Sequence, residues 1–465
     1  MTNTTLINKD NKIKESFYKR VNFIDIKDID GKDTKIEKET YEKFLELQKF
    51  METKNIIIGI DSAYRSEERQ QELYYEFIEK YGQEYAEKIV APVGTSEHHS
   101  GLAIDLALKS NNEYLDADMV HEDQEPIYKE LHKHLKDFGF ILRYPEAKEH
   151  ITGYPYEPWH IRYVGKFVAK IIYEKNYTLE EYLTDFTGII LVNKEKDMTS
   201  FDVVNEISHL FGIKRVGHTG TLDPLAEGVL LVAIGKATKV VELLTATYKE
   251  YIATVKLGIK TDTLDITGKV LEQKEVPNLE NLDEVLNSFK KTYLQEVPIY
   301  SAVKVNGKKL YEYARNNEQV ELPKKTVTIK EVELLDKTED TFKFKTLVSK
   351  GCYIRSLIND IGNELNTYAI MTELTRTKQG KVSIEETKTL KDIKNGNFKL
   401  YEIDEVLEIP VIAVDSVQEQ KIRTGQKINN DYIIKEKVIF KDIDGFILGI
   451  YESKDGLLSV WKNFV

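Results

Sequence analysis

The stretch from Gly217 to Leu230, Gly-His-Thr-Gly-Thr-Leu-Asp-Pro-Leu-Ala-Glu-Gly-Val-Leu, sets glycines and a proline around a single aspartate, Asp223. Pro224 has no backbone N–H and disfavours α geometry at the residue before it. Glycine supplies positive φ and close backbone approach. Asp223 is therefore expected at a stiff, non-helical corner, presented rather than packed. The apolar run Val229-Leu230-Leu231-Val232-Ala233-Ile234 then reads as a buried strand. An Asp-Pro turn before a core strand is common, so the corner by itself names no chemistry.

At 465 residues the chain exceeds what one core can organise, and two or three domains are expected. The single cysteine, Cys352, excludes an intramolecular disulfide and fits a reducing compartment. The first ten residues lack the apolar core of a signal peptide, and no apolar run reaches the length of a membrane span. The cytoplasm is the expected location, with no membrane and no disulfide partner. A net charge of −12 argues against a globally basic nucleic-acid binder, but binding needs only a local basic face. Ser301 to Lys330 holds seven Lys/Arg against three Glu, and Phe344 to Lys381 holds six against three acids.

Read in order, Ile36 to Lys54 has the apolar spacing of a helix, and Asn55 to Ile60 that of a strand. Ser66 opens a charged helix running to about Tyr81, and another helix is expected from Pro126 to Phe138. Thr178 and Glu181 have the spacing of a capping box before a short closing helix. No Gly/Ser or Pro-rich linker follows, so the boundary near residue 185 rests on motif ends rather than composition.

Between these elements lie residues suited to metal chemistry. A catalytic zinc takes three protein ligands and leaves one position open. His98 is expected in a loop before a strand, Asp105 at the far end of that strand, and Glu157 and His160 on a later strand-like segment. Two imidazoles, one carboxylate ligand and a second carboxylate for proton transfer are thus available. Spacing alone leaves their convergence open.

Ser96-x-His98-x-x-Gly101-x-Ala103-x-Asp105, Glu157-x-Trp159-His160 and Ser62-x-Tyr64-Arg65-Ser66 resemble the VanY-type D-alanyl-D-alanine carboxypeptidase family over about residues 40–183. The resemblance implies His98, Asp105 and His160 as Zn2+ ligands and Glu157 as general base. It also implies Arg65 and Ser96 as contacts to a peptide with a free C-terminal carboxylate. A guanidinium fork suits that carboxylate. His99, His121, His132, His134 and His150 match no ligand position.

The Gly217–Leu230 string, with Gly235-Lys236-Ala237-Thr238-Lys239 after it, resembles the catalytic motif of the TruB family of tRNA pseudouridine synthases. Further matches are Lys249-Glu250-Tyr251, Thr261-Asp262-Thr263-x-Asp265-x-x-Gly268, Gly351-Cys352-Tyr353-Ile354-Arg355 and Leu374-Thr375-Arg376. At the first motif the family has Asp-Lys-Pro-x-Gly. Here Asn193, Glu195 and Asp197 replace its Asp, Pro and Gly, so the turn is expected to differ. The resemblance implies a synthase that isomerises uridine 55 in the T-loop of tRNA without a cofactor. Asp223 is its catalytic carboxylate, Tyr251 packs on the uracil, Arg355 pairs with Asp223, His218 fills the space left by the flipped base, and Leu374 lines the pocket.

The expected architecture is an α+β multidomain chain. It comprises a small α+β zinc peptidase (1–185), an α/β mixed-sheet pseudouridine synthase (186–407) and a small all-β unit (408–465) similar to PUA RNA-binding modules. Two other readings of the first part are peptidase action as the main activity, and an inactive peptide- or RNA-binding module. A full ligand set with Glu157 favours chemistry over binding alone.

Overall fold

The computed structural model describes residues 3–110, 113–115 and 124–464, so the expectation for His121 falls outside the described residues. The chain forms two compact units, Met1–Phe186 with Ile207–Lys214, and Thr187–Glu206 with Arg215–Val465.

In the first unit a five-stranded antiparallel sheet runs Ile58–Ser62, Ala103–Ser110, His160–Tyr163, Phe140–Leu142, with Glu113–Leu115 beside Ala103–Ser110. One face carries Ile58, Ile60, Ile104, Leu106, Ile161 and Tyr163. It packs against Phe44, Leu47 and Met51 of the helix Lys38–Glu52 and Tyr128, Leu131 and Leu135 of the helix Glu125–Leu135. Side chains alternate across a strand, so Asp105 and His160 project from the opposite face. They are direct cross-strand partners, Asp105 opposite His160.

The first predicted helix begins two residues late. Asp33–Glu37 instead pairs as a hairpin with Phe23–Lys27, and the Glu37 carboxylate caps the helix by accepting the Thr40 N–H at 2.8 Å. Ser66 caps the helix Glu67–Tyr81, and Thr178 and Glu181 form the reciprocal capping box of Leu179–Asp185.

The second unit is built on a nine-stranded mixed sheet whose main path runs from Thr292–Glu296 through Lys324–Lys337, Thr341–Val348, Lys249–Leu257, Ala369–Gln379 and Glu227–Ile234 to Gly188–Lys194. All pairings are antiparallel except one short parallel contact, Glu227 and Gly228 beside Thr375 and Arg376. The helix Ile354–Glu364 covers one face through Ile354, Leu357, Ile358 and Ile361. The tail forms its own five-stranded sheet with a separate small core, and adds a helix, Ser416–Arg423, that strand-like patterning did not suggest.

Two candidate active sites

In the first unit, His98 lies in a 3-10 turn, Glu97–Ser100, closed by Gly101 at φ +66. A Cβ at Gly101 would fall 2.6 Å from the Phe23 ring, so glycine is required there on two counts. Asp105 is the third residue of its strand, not its far end, and His160 begins its strand with Glu157 in the turn before it. These shifts bring the groups together. Potential ligand atoms of His98, Asp105 and His160 lie within 4.8 Å of one another. His98 Nε2 is 3.1 Å from Asp105 Oδ2, and His160 Nδ1 is 2.9 Å from Asp105 Oδ1. Glu157 Oε2 lies 3.6 Å from His160 Nδ1.

A cavity of about 280 Å³ joins Arg65, Ser96, His98, Asp105, Glu157 and His160, so all six predicted residues of this site share one wall. Leu73, Phe77 and Trp159 supply its apolar part. Burial pushes the Glu157 carboxyl up to about 7. Burial also raises Asp105, but His98 and His160 outweigh it and hold its carboxyl well below the usual range. Arg65 donates to Ser62 Oγ and Gln70 Oε1, both at 3.2 Å, which points its fork into the cavity edge 3.7 Å from Asp105.

His99 is fully buried, with Nδ1 2.6 Å from the Arg65 carbonyl and Nε2 accepting the Gly94 N–H. It thus braces the Arg65 turn. His132 bonds the Pro158 carbonyl, His134 meets Glu130, and His150 sits in the short helix Glu149–Thr152. Sequence reasoning missed a buried cluster behind the site. Glu97 Oε1 accepts Arg143 Nε at 2.8 Å and Arg162 Nη1 at 2.7 Å, and Arg143 reaches Glu180 at 2.6 Å. Its one visible signal was a glutamate between Ser96 and His98.

In the second unit the Asp223 side chain is 35% exposed, at a turn closed by Ala226 N–H on the Asp223 carbonyl. Arg355, in the first turn of its helix, grips both carboxylate oxygens, Nε to Oδ2 at 2.8 Å and Nη2 to Oδ1 at 3.1 Å. The same guanidinium donates to the Thr263 and Tyr300 carbonyls, each at 3.0 Å. Tyr251 and Leu374 are buried on neighbouring strands, in one apolar cluster with Leu222, Ala226 and Ile354. His218 stands on the strand Val216–His218 opposite Val232, its Nδ1 accepting the Gly220 N–H. Asp223 and Arg355 thus meet directly, Tyr251 and Leu374 pack with Leu222, and His218 is tied to Gly220.

The turn with Asn193, Glu195 and Asp197 keeps a left-handed residue. Asp197 adopts φ +65, a conformation Asp tolerates better than most residues, and its N–H bonds the Pro224 carbonyl. Buried Lys194 donates to the Glu195, Met198 and Pro224 carbonyls at 2.9, 2.6 and 3.4 Å. With Asn193, Glu195 and Asp197 in place of the family's residues, the turn thus holds the Pro224 carbonyl, next to Asp223, from both the Asp197 N–H and Lys194.

Residues 208–354 match the model of the TruB family pseudouridylate synthase N-terminal domain. The tRNA pseudouridine synthase B of Caldanaerobacter subterraneus subsp. tengcongensis is 43% identical over 267 residues, which cover 57% of this chain and 94% of that protein. The chain belongs to the tRNA pseudouridine synthase B family. The enzyme of the same name from Fusobacterium nucleatum subsp. nucleatum is 49% identical over 199 residues, 43% of this chain and 69% of that protein. Residues 33–166 match the VanY D-alanyl-D-alanine carboxypeptidase model, so this family member carries a VanY-type domain ahead of its synthase region. A solved VanY D,D-pentapeptidase variant in complex with Zn(II) is 30% identical, covers 40% of this chain and 100% of that one, and superposes with a TM-score of 0.34. Among the described residues no helix is long and apolar enough to cross a membrane.

Proposed function

We propose that the chain converts uridine 55 in the tRNA T-loop to pseudouridine, with Asp223 as the catalytic carboxylate. The observation that carries this reading is the two-point grip of Arg355 on Asp223 at the Asp-Pro corner. The reaction breaks the bond from uracil N1 to C1′, turns the base and joins C5 to C1′. Atoms and oxidation state balance without a co-reactant, and no cofactor is expected. The target base must leave its stack to bring its glycosidic bond to the Asp223 carboxylate. His218 would fill the space it leaves. A bidentate fork fixes the orientation of both carboxylate oxygens. Tyr251 and Leu374 would wall the detached uracil, and Tyr251 would pass the proton released from C5. In this reading 186–407 is the catalytic domain, 408–465 a PUA-like RNA-binding domain, and the T-arm the partner. Asp223→Asn keeps the shape and should retain tRNA binding while losing turnover by at least about 10³-fold. The check is pseudouridine at position 55, read by mass analysis of tRNA after incubation. Near-normal formation by that variant would remove the assignment.

For residues 1–185 we propose a zinc-dependent carboxypeptidase. The donor set fits the ion. His98 Nδ1 lies 2.6 Å from the Ala63 carbonyl, to which it must donate, so Nε2 keeps the lone pair facing Asp105. Two imidazoles and a carboxylate are a common catalytic zinc set. Bound zinc would polarise the scissile carbonyl and acidify a water. Glu157 would take the proton and return it to the leaving amine. Arg65 would clamp the terminal carboxylate and Ser96 would contact the peptide. His160→Ala should lose metal and cleavage together, whereas Glu157→Gln should keep zinc and lose cleavage. Peptides ending in D-alanine, free or amidated, supply the decisive comparison. Equal cutting of both would refute the clamp.

A further inference from the structure

We infer that Glu97 is a positioning residue that fixes which nitrogen of His160 faces the metal. The inference rests on the zinc reading above. Two buried polar atoms without hydrogen-bond partners face each other here, Glu97 Oε2 and His160 Nε2, 3.8 Å apart. Buried polar atoms are rarely left so, and each unpaired one carries a cost. The gap is too short for a bridging water, since two hydrogen bonds of about 2.8 Å at a tetrahedral oxygen span about 4.5 Å. A small closure makes a direct bond. Glu97 already accepts two guanidinium hydrogen bonds, from Arg143 and Arg162, as a carboxylate does, so Oε2 can only accept and that bond requires a proton on His160 Nε2. The lone pair is then on Nδ1, the atom 2.9 Å from Asp105. His98 is set the opposite way, through Ala63. With zinc bound, the two imidazoles would thus be held as opposite tautomers, each with its lone pair on the side of Asp105.

The position of Glu97 is itself imposed. Oε1 is saturated by Arg143 and Arg162, so the carboxylate cannot rotate without breaking two charged hydrogen bonds. Arg162 is held in turn by the carbonyls of Asn3 and Thr5.

Glu97→Gln separates positioning from support. The two arginines demand an oxygen at the Oε1 position, which forces the amide NH2 toward His160 Nε2. A donor then faces a nitrogen that must also donate when Nδ1 binds metal. Zinc affinity, measured by chelator competition on the full chain, should fall about 10- to 100-fold. Arg162→Gln breaks the same cluster but leaves the Glu97 oxygen facing His160. It should lower the unfolding temperature of the metal-free chain and change zinc affinity by no more than about threefold. Equal losses in the two variants, or wild-type affinity in Glu97→Gln, would overturn the inference. Should either variant fail to fold, nitrogen NMR of the zinc-loaded wild type decides. A slowly exchanging Nε2 proton on His160 supports the inference, and a protonated Nδ1 overturns it. A wild-type chain that binds no zinc refutes the underlying metal reading instead.

Discussion

Lys194 shows how a single side chain can hold the Asp223 corner through main-chain atoms alone. Its ammonium gathers three carbonyls, one of them from Pro224, the residue after Asp223. Burial pulls its pKa down to about 8, against the opposing pull of Asp223. The charged form therefore dominates below about 8 and is lost as pH rises through that value. Turnover should decline on that alkaline limb as the corner loses its charged tie. Lys194→Met leaves the carbonyls without their donor and should cost about 1–3 kcal/mol of stability. Its turnover should be about tenfold or more lower, without the step near pH 8. A variant whose pH profile matches the wild type would sink this account. The lysine was visible in the sequence only as part of a motif. Its role was not, because its partners are main-chain atoms, which carry no sequence signature. The same holds for the carbonyls that orient Arg355 and for Ala63 behind His98.

Elements were most legible where local chemistry defines their ends. Ser66 and Thr178 cap helices as read, because an N-cap needs only a side-chain oxygen and a following turn. The hairpin Phe23–Lys27 with Asp33–Glu37 was not legible, since its pairing partner rather than its composition makes it a strand. The helix in the tail was missed for the complementary reason that its neighbours are all strands. Gly228 marks where two strands of the synthase sheet touch. It sits at φ +103, and a Cβ there would fall 2.3 Å from the Arg376 carbonyl oxygen. Neither backbone can yield, because Gly228 and Arg376 are partners in the short parallel contact between their strands. Gly228→Ala should cost about 3 kcal/mol or more, from strain and overlap together. Thermal unfolding checks it, and an unfolding temperature equal to that of the wild type would contradict the geometry.

At the scale of the molecule, both motif sets were readable because each chemistry needs several side-chain types at fixed spacing. The course of the chain between them was not. The VanY model ends at residue 166, yet the first compact unit takes in Ile207–Lys214, after the strand Gly188–Lys194 of the second. Composition offers no sign of this, since Ser200–Phe211 reads as an ordinary amphipathic helix. Phe211 shows what the returning segment contributes. It is fully buried, its ring meets Phe167 edge-on at 4.6 Å and stacks with Phe186 at 5.6 Å, and its carbonyl accepts the Tyr182 hydroxyl at 2.7 Å. Gly212 adds a carbonyl for the Thr4 hydroxyl at 2.7 Å. Truncating a buried phenylalanine costs about 3–5 kcal/mol. Phe211→Ala should therefore lower the temperature at which the full chain loses peptidase activity and zinc, although the residue lies 51 positions beyond His160. A fragment ending at residue 186 lacks the same ring and should lose zinc at a similarly reduced temperature, with its ligand set unchanged. If that fragment proves as heat-resistant as the first unit of the intact chain, the returning segment is dispensable and the peptidase unit ends where its motifs end.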